Sequence, residues 1–152
     1  LEKPSASWTN FSLYRYAEVL LIYAEALNEY DPNNTQIAWA VNQVRKRAEL
    51  PGVDNLIGNQ EAMREKIREE RRHQFLAEHK RYFDILRWKT AEKVLHEPGY
   101  GINKDENAPI GDYTVEQFLG QNRTFDASKH YLWPIPQSAR DKNPNLGQNP
   151  NW

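Results

Sequence analysis

The sequence contains no cysteine, a single methionine and only seven glycines among its 152 residues. Without cysteine the chain can form no disulfide, no thiolate metal site and no cysteine nucleophile. A long apolar run is also missing, because the stretch from Ala17 to Leu27 carries Glu18 and Glu25 and is shorter than the roughly 20 residues of a bilayer crossing. A membrane-spanning helix and a disulfide-stapled scaffold are therefore excluded.

An excess of basic charge is missing as well. The chain has 20 lysines and arginines against 21 aspartates and glutamates, for a net charge of −1. Nucleic-acid binders rely on a broad basic field, so we expect no nucleic-acid partner. The 39% apolar and 12% aromatic content fits one globular domain that buries roughly two thirds of its unfolded surface.

Apolar residues recur every three or four positions in the first third of the chain, which predicts an amphipathic helix over residues 13–30. Asp31 and Pro32 end it with turn chemistry, and Thr35 is the predicted N-cap of a second helix over residues 35–49. Two helices joined by a short polar turn form an antiparallel hairpin. The predicted inward stripe of the first helix consists of Leu13, Tyr16, Ala17, Leu20, Ala24 and Leu27. Val19, Ile22 and Tyr23 widen this stripe.

Apolar and aromatic residues farther along the chain predict two more helices, over about residues 60–77 and 80–95. Asn59 or Gln60 suits the cap of the third helix, and Glu65 can pair with Arg68 one turn later. Residues 96–152 are predicted to be irregular and to end in an extended C-terminal strap, which inserts Leu132, Trp133, Ile135 and Leu146 between helices. The fold class is therefore all-α, with four helices in two successive hairpins.

Three separated stretches, with a fourth between the first two, carry a family resemblance. They read RYAEVLLIYAEAL at residues 15–27, VRKRAELPGV at 44–53, IREERRHQFLAEHKRYFDILRW at 67–88 and WPIPQSARDKNPNLGQNPNW at 133–152. In this order they resemble the C-terminal part of the SusD/RagB family of outer-membrane nutrient-binding lipoproteins. The family usually has a glycine where this chain has His79, and it commonly closes on Gly-Tyr where this chain has Asn151 and Trp152.

The resemblance implies a fold of tetratricopeptide-like helical hairpins and a non-catalytic role without a cofactor. Proteins of this family bind oligosaccharides or other nutrients at the outer membrane, held by a lipidated N-terminal cysteine, and pass them to a SusC-like TonB-dependent transporter. Since this chain has no cysteine and opens on Leu1 rather than methionine, we expect residues 1–152 to be the C-terminal region of a longer protein.

Sugar binding needs flat apolar surface beside fixed polar groups, which aromatic residues near Asn, Asp and Gln supply. The aromatic residues outside the helical stripes are Trp8, Tyr100, Tyr113 and Phe125, and the first three are the predicted ligand contacts. The competing interpretation is that each fills a small core under a loop. Three further aromatic residues lie on predicted helices and are expected in the core, namely Trp39, Phe83 and Trp88.

The densest charge cluster comprises residues 69–72 with Arg81, Asp84 and Arg87. We interpret it as an internal ion-pair network that orients two helices, rather than as an anion site. Glu70 and His73 have the spacing of a carboxylate-bridged metal site, but no second copy accompanies them. No His-Glu-x-x-His or Gly-x-Ser-x-Gly pattern occurs, so we predict no metal and no enzyme. Two alternatives are a helical-repeat protein-interaction scaffold and an enzyme that uses His130 or the carboxylates.

Overall fold

A computed structural model describes residues 13–96, 99–103, 111, 113–117 and 124–152. The chain folds as two compact units, Leu1–Arg81 and Tyr82–Trp152. The structure is mostly helical, which confirms the all-α prediction, although it adds a small two-stranded sheet. The candidate contact Trp8 lies outside the described residues. The tetratricopeptide-like arrangement of hairpins stays a prediction.

The first unit is built from three helices. They are α1 (Tyr16–Tyr30), α2 (Gln36–Arg47) and α3 (Gln60–Gln74), with a 3-10 turn at Asp54–Leu56 before α3. Helix α1 packs against both α2 and α3, so it occupies the central position of the unit. The fully buried side chains Leu21, Ile37, Val41, Met63 and Ile67 form the centre of its core.

Local polar side chains start the second and third helices. Asn59 accepts a hydrogen bond from the Ala62 backbone N–H at 3.1 Å, as its predicted role as the α3 cap requires. Thr35 occupies the predicted N-cap position of α2, but its side chain makes no capping bond. Asn34 supplies a bond at this helix start instead, since its side-chain oxygen accepts from the Gln36 N–H at 3.0 Å.

The inward face of α1 differs from the predicted stripe. Leu13 and Tyr16 are exposed, whereas Glu18 and Asn28 are buried. Each buried polar residue has a partner that is distant in sequence. Lys80 Nζ lies 3.1 Å from Glu18, and the Asn28 amide donates to the Gln60 carbonyl at 3.0 Å. The prediction failed here because hydropathy alone cannot identify polar groups that burial will satisfy. Also exposed, against prediction, are Val19, Ile22, Tyr23, Trp39 and Phe83.

The second unit contains shorter elements. They are α4 (Arg81–Arg87, which begins at the last residue of the first unit), α5 (Ala91–Val94), β1 (Tyr100–Asn103), β2 (Thr114–Gln117) and α6 (Gln137–Lys142). The aromatic stretch expected to form one helix to about Leu95 is divided, because Lys89 has a positive φ of 55° that ends α4. The core of the unit is Ile85, Ala91 and Phe125.

Both departures from the family pattern fall on left-handed backbone. His79 has φ of 58° and Asn151 has φ of 62°. Glycine adopts this conformation without steric cost, whereas other residues pay for the position of Cβ. The glycine that the resemblance leads one to expect at these two positions therefore has a physical reason, and this chain keeps the turn geometry without it.

Candidate functional site

Two aromatic surfaces of the second unit are the strongest candidates for ligand contact. One is the two-stranded ribbon formed by β1 and β2, and the other is a cavity beside the C-terminal tail. Both are assembled from residues outside the three long helices.

The ribbon pairs β1 and β2 in antiparallel register, with Tyr100 opposite Gln117 and Ile102 opposite Val115. Alternate residues of a strand point to opposite faces, so Tyr100, Ile102 and Val115 share one face. The same alternation places Tyr113, the residue before β2, on that face. All four side chains are exposed, Tyr100 by 62% and Tyr113 by 52%. The ribbon thus presents a face on which Tyr100 and Tyr113 flank Ile102 and Val115, with the exposed Gln117 opposite Tyr100.

The opposite face of the ribbon is polar. The Asn103 side-chain amide donates to the Glu116 carboxylate at 3.1 Å, and the Thr114 hydroxyl lies 3.3 Å from the same oxygen. The Thr114 hydroxyl also lies 3.4 Å from the Asn103 backbone carbonyl across the strand pair. These bonds tie the two strands together beside the aromatic face. Aromatic surface next to amide, hydroxyl and carboxylate groups is what recognition of a sugar requires.

A second aromatic surface depends on the C-terminal tail, which folds back on the segment before α6. The Trp152 indole N–H donates to the Leu132 carbonyl at 3.0 Å and lies 3.2 Å from the Lys129 carbonyl. The Asn149 amide donates to the Trp133 carbonyl at 2.6 Å. The tail is therefore attached to this segment by side chains that donate hydrogen bonds to backbone carbonyls.

Gln148 adds a two-sided contact within the same strap. Its side-chain oxygen accepts from the Ile135 N–H at 2.8 Å, and its amide donates to the Ile135 carbonyl at 3.1 Å. This pairing reproduces what a neighbouring strand would supply to an extended segment. Proline at positions 134 and 136 keeps that segment extended, so a side chain takes the place of a second strand.

Leu132 and Trp133 do not insert between helices as predicted. Leu132 is exposed, and the Trp133 side chain is 70% exposed. Trp133 instead makes an edge-to-face contact with Tyr82, with 6.3 Å between ring centroids. The prediction was wrong because the tail bonds to the backbone of this segment and leaves its large side chains outside the core.

A cavity of about 420 Å³ opens beside these rings. Phe125 is buried at its inner side, with Tyr131 at 4.9 Å and His130 at 5.6 Å between ring centroids, and Trp152 lies 5.6 Å from His130. Phe125 thus belongs to the core of the unit and also lines the cavity. We call this cavity the aromatic cleft, and its aromatic lining consists of Tyr82, Phe125, His130, Trp133 and Trp152.

Local electrostatics hold the loop that supplies His130. The Asp126 carboxylate accepts from the hydroxyl and backbone N–H of Ser128 at 2.6 and 2.9 Å, and these bonds lower the pKa of Asp126. The Asp126 N–H donates to His130 Nδ1 at 2.7 Å. Burial, followed by the nearby Glu92 carboxylate, raises the pKa of Tyr131, whose hydroxyl lies 3.3 Å from Glu92.

The charge cluster of the first unit resolves into ion pairs within the protein. Arg45 of α2 pairs with Glu70 of α3, and Arg68 pairs with Glu65 at 2.7 Å as predicted. In the second unit Arg87 pairs with Asp84 at 2.9 Å. These contacts support the structural interpretation of the cluster. The sequence did not identify Arg45, because it lies 25 residues from its partner.

Among residues 13–96, 99–103, 111, 113–117 and 124–152, no group of three His, Asp or Glu side chains is arranged to hold a metal ion. None of the helices in the same part of the chain combines the length and the hydropathy that crossing a bilayer requires.

Comparison with known proteins identifies the relationship. The model of the SusD family matches residues 2–152. The chain belongs to the SusD family. SusD-like protein P2 of Formosa agariphila is 35% identical over 151 residues, a match that covers 94% of this chain and 26% of that protein. SusD-like protein P38 of the same organism is 37% identical over 109 residues, covering 67% of this chain and 21% of that protein.

A solved structure shares the fold of this SusD-family chain. It is the crystal structure of a SusD-like carbohydrate binding protein from Bacteroides fragilis, with 37% sequence identity and a TM-score of 0.72. The match covers 89% of this chain and 28% of that protein. This SusD-family chain therefore spans about a quarter of the length of these relatives.

Of the predicted ligand contacts, the structure brings Tyr100 and Tyr113 onto one face of the ribbon. The sequence did not predict Tyr82, Trp133 or Trp152 as ligand contacts, although it contains the Trp-Pro-Ile-Pro stretch and the terminal tryptophan. A proline-bounded segment that follows no helical period is the signal that could have indicated exposed rings. The local pattern favours a packing role for this segment, because it does not show that the tail pairs with the segment's backbone.

Proposed function

We propose that this SusD-family chain is part of a non-catalytic protein that binds an oligosaccharide or a similar nutrient. The observation that carries the proposal is the exposed face of the ribbon, where Tyr100 and Tyr113 flank Ile102 and Val115. Sugar rings have an apolar C–H face that packs on aromatic side chains, and hydroxyls that need fixed polar partners. The carbohydrate binding of the B. fragilis relative supports the same ligand class.

We propose further that Trp8, Tyr100 and Tyr113 make the ligand contacts. Two exposed tyrosines at the ends of a short ribbon suit successive rings of a chain better than a compact ligand. Large exposed apolar groups that serve no packing role are typical of binding surfaces. Trp8 enters on its sequence context alone, in Ser7-Trp8-Thr9-Asn10.

In the full-length protein, we propose that binding takes place at the cell surface, on an outer membrane to which a lipid anchor holds the protein. Passage of the ligand to a SusC-like TonB-dependent transporter completes the proposed role. Family membership supports this placement, and the chain covers only 26% of the P2 relative. Affinity capture of the full-length protein from its own outer membranes tests the partner, since the proposal requires a TonB-dependent transporter in the eluate.

Calorimetric titration tests the ligand. The chain is titrated with four neutral hexasaccharides, namely maltohexaose, cellohexaose, xylohexaose and mannohexaose. Replacing Tyr100 or Tyr113 with alanine should weaken the binding of the active sugar about tenfold, which corresponds to about 1.4 kcal/mol for a lost aromatic contact. Tyr30→Ala is the control, because Tyr30 is a tyrosine that is even more exposed, by 88%, but lies at the end of α1. Equal weakening by all three variants contradicts the proposed site.

A second candidate function is the helical-repeat interaction scaffold. The observation that favours it is the outward face of α1, where Tyr16, Val19 and Tyr23 are exposed at helical spacing. Such a stripe suits a partner helix. The two candidates differ in outcome, because a scaffold binds none of the four hexasaccharides and loses its protein partner when Tyr23 is changed to glutamate.

A further inference from the structure

We propose that the aromatic cleft is a second sugar-binding site, which takes one or two neutral pyranose rings. The inference rests on the proposed oligosaccharide function but concerns residues that the ribbon does not contain. The volume of about 420 Å³ lies in the lower part of the roughly 300–1,000 Å³ range of small-molecule sites. A cavity of this size suits the end of a saccharide rather than a long chain.

The walls of the cleft supply the apolar contact. Tyr82 and Trp133 meet edge to face, with 6.3 Å between ring centroids and 87° between ring planes. This contact fixes the orientation of the indole, yet 70% of the Trp133 side chain remains accessible. The indole therefore offers a flat surface that is already oriented in the free protein. Such preorganisation favours binding, because the ligand does not have to order the side chain.

Three groups of the cleft are available to bond sugar hydroxyls. His130 Nδ1 accepts the Asp126 N–H at 2.7 Å, so the neutral imidazole carries its proton on Nε2, where it is a donor. The Tyr82 hydroxyl and the Trp133 indole N–H are the other two. Within the part of the chain that the structure describes, none of these three groups hydrogen-bonds to protein. They differ from the Trp152 indole N–H, which the strap already uses.

The composition of the lining selects among ligands. No Asp, Glu, Lys or Arg occurs among the described residues that line the cleft. A charged ligand would lose its hydration without gaining an ionic partner, which is costly. An acyl chain would fill the volume but leave the three polar groups without hydrogen bonds. A neutral ring that has hydroxyls at its edge and an apolar face satisfies both the walls and the donors.

The test uses the full 152-residue chain and the hexasaccharide that gives the largest heat in the calorimetric panel. Tyr82→Phe removes only the hydroxyl and keeps the ring contact, and Trp133→Phe removes the indole N–H and narrows the wall. Each variant should weaken binding about five- to tenfold. Trp39→Phe is the matched control, since Trp39 is a partly exposed tryptophan of the first unit, and its variant should bind as tightly as the unchanged chain.

A site-specific readout accompanies the affinities. In the ¹⁵N-labelled chain, the Trp133 indole resonance should shift on addition of the sugar, while the Trp39 indole resonance should not move. An unchanged melting temperature for Tyr82→Phe shows that its effect on affinity is not caused by unfolding. The second readout remains informative even if the Trp133 variant is poorly folded.

The outcomes separate this inference from the proposed function. If Tyr100→Ala weakens binding while Tyr82→Phe and Trp133→Phe do not, and the Trp133 resonance stays fixed, the cleft is not a sugar site and the ribbon proposal stands. If only the cleft variants weaken binding, the cleft is the sugar site and the ribbon assignment is wrong. If the chain binds none of the four hexasaccharides, the proposed function of this chain and the cleft site are both overturned.

Discussion

Arg45 of α2 and Glu70 of α3 form an ion pair inside the first unit, where their residues are only 8% and 6% exposed. Arg45 donates through Nη1 to the carboxylate, while its Nε donates to the Pro51 carbonyl at 2.6 Å. The pair thus joins two helices and the turn that follows α2. Because both charges have left water, each depends on the other.

We expect Glu70→Ala to destabilise the first unit by about 3–5 kcal/mol, since it leaves the Arg45 charge buried without its partner. The double variant Arg45→Met with Glu70→Leu should lose much less, because it removes both charges and restores apolar volume. Urea unfolding at pH 7 measures the two differences. A double variant less stable than Glu70→Ala would contradict the explanation.

The left-handed backbone at His79 predicts that a substitution there will stabilise the protein rather than destabilise it. His79→Gly should stabilise the protein by about 0.5–1 kcal/mol, because glycine relieves the Cβ clash at φ of 58° at some cost in unfolded-state entropy. The neighbouring exposed position Leu76 is not in that conformation, so Leu76→Gly is the control and should destabilise. Thermal unfolding of both variants shows whether each change raises or lowers the stability of the protein.

The pairing of Arg15 with Glu78 predicts a dependence of stability on pH. Hydrogen bonds from the Arg15 guanidinium, one of them at 2.9 Å, lower the pKa of Glu78 below its ordinary value of 4.5. A carboxylate with a lowered pKa stabilises the fold above its unfolded pKa, and the contribution is lost as the pH falls through the folded pKa. Both side chains are partly exposed, so the effect is modest.

Urea midpoints measured from pH 7 to pH 3 check this dependence. Glu78→Gln should reduce the loss of stability between about pH 5 and pH 3, and Arg15→Leu should reduce it to a similar degree, because either variant removes the pair. The remaining acid sensitivity should come in part from Glu29 and Glu69, whose pKa values are lowered by hydrogen bonds from Arg64 and Lys66. A pH profile that neither variant changes would rule out the pair as its source.

The C-terminal strap predicts the effect of truncation. Deleting residues 143–152 removes the bonds that Gln148, Asn149 and Trp152 make to the segment before α6, and we expect a lower melting temperature. Gln148→Ala should cost about 1–2 kcal/mol, for two partly buried hydrogen bonds. Asn145→Ala is the control, because its side chain is exposed and a change there should lie within about 0.5 kcal/mol. Equal melting temperatures for the truncated and intact chains would show that the tail carries no stability.

Much of the first unit could be predicted because its signals are local. Helical periodicity, the Asp31-Pro32 turn and the Asn59 cap each depend on residues within one or two turns of one another. The inward face of α1 could not be predicted in the same way. Glu18 is buried because Lys80 reaches it from 62 positions away, and no local window contains both residues.

The candidate site shows the same division. The sequence marked Tyr100 and Tyr113 as aromatic residues outside the helical stripes, but only the strand register places them on one face of a ribbon. Trp133 was predicted to insert between helices, and the sequence predicted no role for Trp152. Their actual positions depend on the tail, whose side chains bond to the backbone of a segment about fifteen to twenty residues earlier in the chain.

By itself the sequence determined the class of fold, the family and the absence of any cysteine chemistry, since composition, helical period and short motifs are properties of neighbouring residues. Tertiary structure decided which polar groups are buried and which aromatic rings stay in solvent. Those outcomes depend on whether a distant partner can compensate the cost of desolvation. Arg45 and Glu70 have such a partner in each other, whereas the rings of Tyr100 and Trp133 keep their accessible faces.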